Sequence, residues 1–286
     1  MELTIQTKQS SCCSGPLSDT SRVLSTTGDL KAEVRAKYAE VALAEAGCGC
    51  GCGCESENPF NLESYERLEG YEISADLGLG CGIPTEVANI REGHDVLDLG
   101  SGAGIDAFVA RRIVGSSGSV MGVDFTPEMV ALAKANAAKL GYENVQFVLG
   151  DIEQLPIRDE SIDRVISNCV LNLVPNKEGA FSEMLRVLRP NGQFTVSDIV
   201  LEGELPAAIR HSAEAYAGCV SGAIEQSEYT DLLASVGFSA VKTVKVSEIA
   251  FSDEFLTRYA SASDIAEFRH SGARVLSITV TGTKPQ

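Results

Sequence analysis

The sequence predicts an α/β fold, a mostly parallel sheet with helices on both faces. From His94 onward, short apolar runs alternate with helical segments, and that rhythm demands parallel strands joined by crossover helices. The segments HDVLDL (94–99), SVMGV (119–123) and VQFVL (145–149) read as short apolar strands, in a parallel sheet covered on both faces. Glycines and acids stand just after these runs, at the carboxyl edge where open sheets hold their ligands.

Each element follows from local signals. Residues 1–27 are polar and rich in Ser and Thr. Thr27 or Asp29 can cap a helix whose apolar face is Leu30, Val34, Tyr38 and Val41 and which stops at Gly47. GCGCGCGCE (47–55) breaks regular structure, and residues 56–80 bridge into the core. Glycines follow the first strand, then a helix over Ile105–Val114. The second strand ends at Asp124. Thr126 as N-cap, with Pro127 and Glu128 behind it, opens a helix to Leu140. DRVIS (163–167) is the fourth strand, and Asn176 starts a helix that ends before RPNGQ (189–193), a turn of chain breakers. QFTVSDI (193–199) is the fifth strand. Beyond it come helical segments at 206–217 and 227–236, an alternating strand AVKTVKV (240–246), and a helical stretch before RVLSITVTG (274–282). The expected organisation is a mobile Cys-rich N-terminal region with one helix (1–60), a ligand-binding domain (61–200), and an insertion with C-terminal strands completing the sheet (201–286).

Composition narrows the function. The 286 residues carry a net charge of −17, a surface that would repel a phosphate backbone, so no nucleic-acid partner is expected. MELTIQTKQSSCC has no signal-peptide apolar block and no run approaches a membrane span, so a soluble, cytoplasmic protein with no membrane partner is expected. Nine cysteines are many for such a chain, because disulfides rarely persist in the cytosol. The odd count favours thiols, catalysis or metal chemistry. Cys12, Cys13, Cys48, Cys50, Cys52 and Cys54 lie in the Gly/Ser-rich N-terminal region, whereas Cys81, Cys169 and Cys219 are isolated in the body. The acids outside the strand-end loops read as solvated faces.

DLGSGAG (98–104) joins the first strand to a helix. Its glycines let the backbone approach a ligand while the helix N-terminus offers N–H groups. Asp124 is the expected acid for a ribose diol. GDIEQLP (150–156) follows the third strand, and SIDRVISNC (161–169) runs through the fourth. Together these motifs resemble the class I S-adenosylmethionine-dependent methyltransferases, with their Rossmann-like fold, over residues 90–200. The resemblance implies that Gly100, Ser101, Gly102 and Gly104 face the methionine part of S-adenosyl-L-methionine. It implies Asp124 on the ribose hydroxyls with Phe125 nearby, Asp151, Ile152 and Glu153 around the adenine, and Asn168 at the amino-acid end.

Cys169 follows Asn168 directly. Cys81 sits in GLGCGIP (78–84), where flanking glycines suggest a loop packed closely over the site, and Cys219 sits in YAGCVSG (216–222). Any one of them, taken alone, also reads as a small buried hydrophobe. Taken together with SNCVLNLVPNK (167–177), the three contexts resemble the arsenite methyltransferases over residues 70–222. That resemblance implies a C-terminal substrate-binding α+β extension and makes Cys81, Cys169 and Cys219 the arsenic-binding and redox cysteines. It implies methyl transfer to thiol-bound As(III), with arsenite and methylarsenite as substrates, and a thiol reductant, thioredoxin or glutathione, as co-substrate. Soft trivalent arsenic selects sulfur ligands, and its capture is expected to release protons as soft-metal binding does. Cys48, Cys50, Cys52 and Cys54 are possible accessory thiols; an idle segment and zinc binding are the other readings of that run. A methyltransferase of a small organic substrate with structural cysteines, or a protein that sequesters metalloid without turnover, would carry some of the same features.

Overall fold

Strands buried on both faces need apolar side chains pointing both ways, and β1 (Asp95–Leu99) shows it. Val96 packs with one set of helices while Leu97 and Leu99 pack with the other, the two-residue alternation of a pleated strand. The computed structural model describes residues 27–47, 63–207, 220, 222–257 and 260–286. Its chain runs α1 (Thr27–Gly47), β1, α2 (Ile105–Val114), β2 (Ser119–Asp124), α3 (Pro127–Leu140), β3 (Val145–Leu149), β4 (Ile162–Asn168), α4 (Lys177–Val187) and β5 (Leu188–Glu202). α5 (Gln226–Val236), β6 (Ser239–Glu248), α6 (Asp253–Leu256), α7 (Ala262–Ser271) and β7 (Arg274–Thr283) follow. The helical expectation at 206–217 falls mostly outside the described residues.

The seven strands form one sheet in the order β3-β2-β1-β4-β5-β7-β6. The first five are parallel, while β7 runs antiparallel between β5 and β6. The strand order reverses between β1 and β4, which opens a crevice at their carboxyl ends. One face is covered by α2 and α3 around Phe108, Val130 and Ala133, the other by α4 and α5 around Phe181, Met184 and Tyr229. Phe181 and Tyr229 meet edge to face, ring centroids 5.3 Å apart, a geometry aromatic quadrupoles prefer.

Local signals set the element ends. Asn176 caps α4 by accepting from the Gly179 N–H at 3.0 Å, which satisfies a helix-end donor. The RPNGQ breakers stand inside β5 as an irregularity rather than before it. The pairing with β4 jumps from Ile162↔Leu188 to Arg164↔Gln193, and Asn191 has φ +65°, so the extra residues loop out of the ladder. Asn191 and Gly192 bond instead to Lys284. A third apolar cluster sits at the carboxyl end, where Cys81 and Cys169 join Ile199, Leu205, Phe251 and Phe268. Among the described residues no helix is long and apolar enough to cross a membrane.

Candidate active site

The crevice is a cavity lined by Gly100, Ser101, Gly102, Asp124, Phe125, Asp151, Ile152, Asn168 and Cys169, nine of the residues singled out from the sequence. Three others do not line it. Gly104 lies beneath, where a Cβ would stand 2.8 Å from the Phe147 ring. Glu153 turns away, accepting from the Asn176 N–H and pairing with Lys31. Cys81 is fully buried behind the wall. Cys219 and the N-terminal cysteines 12, 13, 48, 50, 52 and 54 lie outside the described residues.

β2 delivers Asp124 to the glycine loop. One carboxylate oxygen accepts from the Gly102 N–H at 3.0 Å and the other from the Thr126 N–H at 2.8 Å. Burial raises the Asp124 pKa while these N–H groups oppose the shift. Each oxygen keeps a second lone pair for a ligand hydroxyl.

Two further acids prove buried: Asp98, which the sequence reading placed in the glycine loop without a role, and Asp106, which it left among solvated faces. Asp98 lies near the end of β1 and Asp106 in the first turn of α2, at 2% and 3% exposure. Burial, then the proximity of Asp106 and Asp124, pushes the Asp98 pKa well up. Burial carries Asp106 up to about 6, against the bonds from Tyr65 and Asn168. One oxygen of each, with the Ser101 hydroxyl, has no hydrogen-bond partner among the described residues. Buried acids in such numbers are costly unless a cation meets them. A ligand with a positive centre, hydroxyls and a flat base fits this donor set, as S-adenosylmethionine does.

The cysteines are organised by Asn168. Its Oδ1 accepts from the Cys81 N–H at 3.1 Å and lies 3.8 Å from the Cys81 Sγ. Its Nδ2 donates to the Gly82 carbonyl at 2.7 Å and to the Tyr65 hydroxyl at 2.7 Å. Tyr65 in turn donates to Asp106 at 2.8 Å. The glycines beside Cys81 permit this: a Cβ on Gly80 would stand 2.7 Å from Asn168 Nδ2, and one on Gly82 would stand 2.8 Å from Ser197 Oγ. Cys169 has φ +58°, a left-handed conformation that is strained for a non-glycine residue. Its N–H is held by the Ser197 carbonyl at 2.8 Å. Val220, the residue after Cys219, is buried in the same apolar cluster as Cys81 and Cys169.

Below them lies another acid that sequence reasoning missed. Asp198 accepts from the Tyr229 hydroxyl at 2.9 Å and is wholly buried. Burial takes it up to about 7. Neither Asp198 nor Tyr65 stands in a motif, and only their apolar neighbours could have signalled burial. Among the described residues no group of three or more His, Cys, Asp or Glu side chains could hold a metal ion.

Residues 90–237 match the methyltransferase-domain family. The chain is 43% identical over 211 residues to the arsenite methyltransferase of Halobacterium salinarum, covering 74% of this chain and 52% of that protein. It is 33% identical over 242 residues to the human arsenite methyltransferase, covering 80% and 64%. The crystal structure of an arsenic(III) S-adenosylmethionine methyltransferase from Chlamydomonas reinhardtii superposes with TM-score 0.60 at 35% identity, over 72% of this chain and 67% of that one. The chain thus spans about half to two thirds of the length of these curated relatives. By its sheet order, its glycine-loop cavity and these matches, the chain belongs to the methyltransferase-domain family and, within it, to the arsenite methyltransferases.

Proposed function

We propose that this protein transfers methyl groups from S-adenosyl-L-methionine to As(III) held by the thiols of Cys81, Cys169 and Cys219, giving methylated arsenicals. One observation carries the reading: Cys169 lines the cofactor-type cavity, and its neighbour Asn168 holds the Cys81 loop against it. A methyltransferase of an organic substrate has no need to join two thiols at that edge.

The chemistry follows from the residues. Arsenite exchanges hydroxides for thiolates: each As–O bond that breaks is replaced by an As–S bond. Each thiol proton leaves with a hydroxide as water. Capture is therefore proton-neutral, which corrects the expectation of proton release; arsenite differs from a bare metal ion in bringing its own base. Trivalent arsenic keeps its lone pair after binding sulfur. Bound in the cavity, the cofactor supplies a methyl group on a cationic sulfur, which that lone pair accepts. Asp98 and Asp106 counter the positive charge, Asp124 takes the ribose hydroxyls, and the glycine loop admits the methionine part. Asp151, Phe125 and Ile152 border the base. Alignment supplies the rate, since fixing two reactants is worth an effective molarity of roughly 10⁵–10⁸ M.

Methylation takes arsenic from As(III) to As(V). Returning it to As(III) needs two electrons, which a pair of thiols supplies on closing a disulfide; thioredoxin or glutathione reopens it by thiol exchange. A cytoplasmic setting suits this chemistry because it keeps thiols reduced. The Cys48–Cys54 thiols serve as accessory ligands or resolving groups in this scheme.

The test is incubation of purified protein with S-adenosylmethionine, arsenite and glutathione, followed by chromatographic separation of arsenic species with mass detection. Methylarsenicals are expected from the wild type and none from the single variants Cys81→Ser, Cys169→Ser and Cys219→Ser. Full turnover by the Cys169→Ser variant would remove the thiol-held arsenic from the scheme.

A further inference from the structure

The cavity has a wall that no strand-end loop supplies. Lys31, Val34 and Tyr38 of α1 line it together with the glycine loop, and positions i, i+3 and i+7 share one helix face. The Lys31 ammonium lies 2.8 Å from Asp151 Oδ2 and 2.8 Å from Glu153 Oε2. One turn further on, the Arg35 guanidinium lies 5.3 Å from the centre of the Phe125 ring, within cation–π range. Thus α1 grips the β2 and β3 loops that border the base.

Apolar burial holds α1 only lightly. Over residues 31–44 of the helix, Ala42 alone is buried. Its polar contacts therefore matter more than they would in a core helix. Burial by itself would lower the Lys31 pKa, yet the bonds to Asp151 and Glu153 outweigh it and leave the ammonium favoured.

We propose that α1 closes the cofactor cavity and that Lys31 is its latch, so that cofactor retention is set by the bridge from Lys31 to Asp151 and Glu153. The inference rests on reading the cavity as an S-adenosylmethionine site. It gives Glu153, which does not line the cavity, a use: it shares Lys31 with Asp151. It also gives the acid expected at the adenine a second duty, because Asp151 Oδ2 holds the latch while Oδ1 accepts from the Glu153 N–H at 3.0 Å. Release then requires the bridge to part before the helix can swing from the mouth.

The experiment is stopped-flow release of S-adenosylhomocysteine from the full chain, at low and high salt. Lys31→Ala should speed release about three- to ten-fold at low ionic strength, the range that loss of two half-exposed ion pairs supports. The difference should shrink at 0.5 M salt, where ions screen exposed pairs over about a few ångströms. Lys31→Glu, which faces two acids, should release faster still, and Lys31→Arg should restore retention. Amide exchange over residues 31–42 should slow when S-adenosylhomocysteine binds the wild type, and slow less in Lys31→Glu. If the wild type binds S-adenosylhomocysteine but Lys31→Ala and Lys31→Glu release it at the wild-type rate, the latch is overturned and the cofactor site stands. If the wild type fails to bind it, both fall.

Discussion

The backbone N–H of Cys81 donates to the side-chain carbonyl of Asn168 at 3.1 Å, so one amide joins the loop of one cysteine to the strand end that carries another. The same amide donates on to Gly82 and Tyr65. It therefore fixes three segments that are distant in sequence, and Asn168 and Tyr65 both line the cavity.

Asn168→Asp should show what that joint contributes. The carboxylate can still accept from Cys81, but it loses the donor bonds to Gly82, Tyr65 and Asp106 and adds charge beside Asp106. Unmet partners in a buried network cost roughly 1–3 kcal/mol each. Arsenite methylation is expected to fall on the order of a hundred-fold, read as initial rates at saturating cofactor. A variant within a factor of two of wild type would show that the Cys81 loop is held by other means.

Two glycines of one loop, both at positive φ, should respond differently to alanine. A Cβ on Gly100 would lie 2.3 Å from a Val170 methyl, at φ +68°, so Val170, and with it the Cys169 turn, must move. Gly100→Ala is expected to lose roughly 2–4 kcal/mol of stability from combined strain and overpacking, seen as a lower Tm. A Cβ on Gly102, at φ +50°, would meet nothing within 4 Å. Gly102→Ala is expected to unfold within a few degrees of wild type yet to weaken S-adenosylhomocysteine binding, because the methyl enters the cavity. Equal losses of Tm in both variants would refute the distinction.

Much of this was legible in the sequence, for physical reasons. Strand Asp95–Leu99 matches its apolar run because Val96, Leu97 and Leu99 are buried toward both faces, and edge strand Val145–Leu149 because Val145 and Phe147 are buried. The presence of a helix over α1 and the Asn176 cap were readable because their signals are local. The breakers at 189–193 were read as a turn between a helix and a strand, whereas they stand inside β5 and bond to Lys284, nearly a hundred residues on. Long-range pairing hid the rest. Lys31 meets Asp151 across 120 positions, and Tyr65 reaches Asp106 across 41. Asp106 and Asp198 look like solvated acids until the sheet encloses them.

Asp124 should separate cofactor binding from arsenic binding. Its carboxylate orders the glycine loop through Gly102 and the start of α3 through Thr126, and neither bond involves the cysteine cluster. Asp124→Ala is expected to weaken S-adenosylhomocysteine binding about ten- to hundred-fold by calorimetry, the equivalent of about 1.4–3 kcal/mol. Arsenite binding to the same variant, measured as bound arsenic per chain after desalting, should stay at the wild-type level. Loss of both would mean that the loop and the cysteine edge are one cooperative unit.

The buried acid at Asp198 makes stability depend on pH in a stated direction. Burial lifts its pKa from 3.8 to about 7, against the bond from Tyr229 and the charge of Lys177. Glu228 acts on Lys177 as well, and Cys81 and Cys169 act on Tyr229. Between those two pKa values the folded chain keeps a proton that the unfolded chain releases. This favourable contribution is complete below the unfolded pKa and is lost as pH rises through about 7. Asp198→Asn cannot titrate and keeps an acceptor for the Tyr229 hydroxyl. Asp98 and Asp106 shift the same way, so the wild-type curve alone does not isolate Asp198. The difference between the two proteins does. From pH 5 to pH 8 the wild-type Tm should fall relative to that of Asp198→Asn, most steeply below pH 7 and levelling above it. Parallel Tm curves across that range would mean that Asp198 keeps an ordinary carboxylate pKa inside the fold.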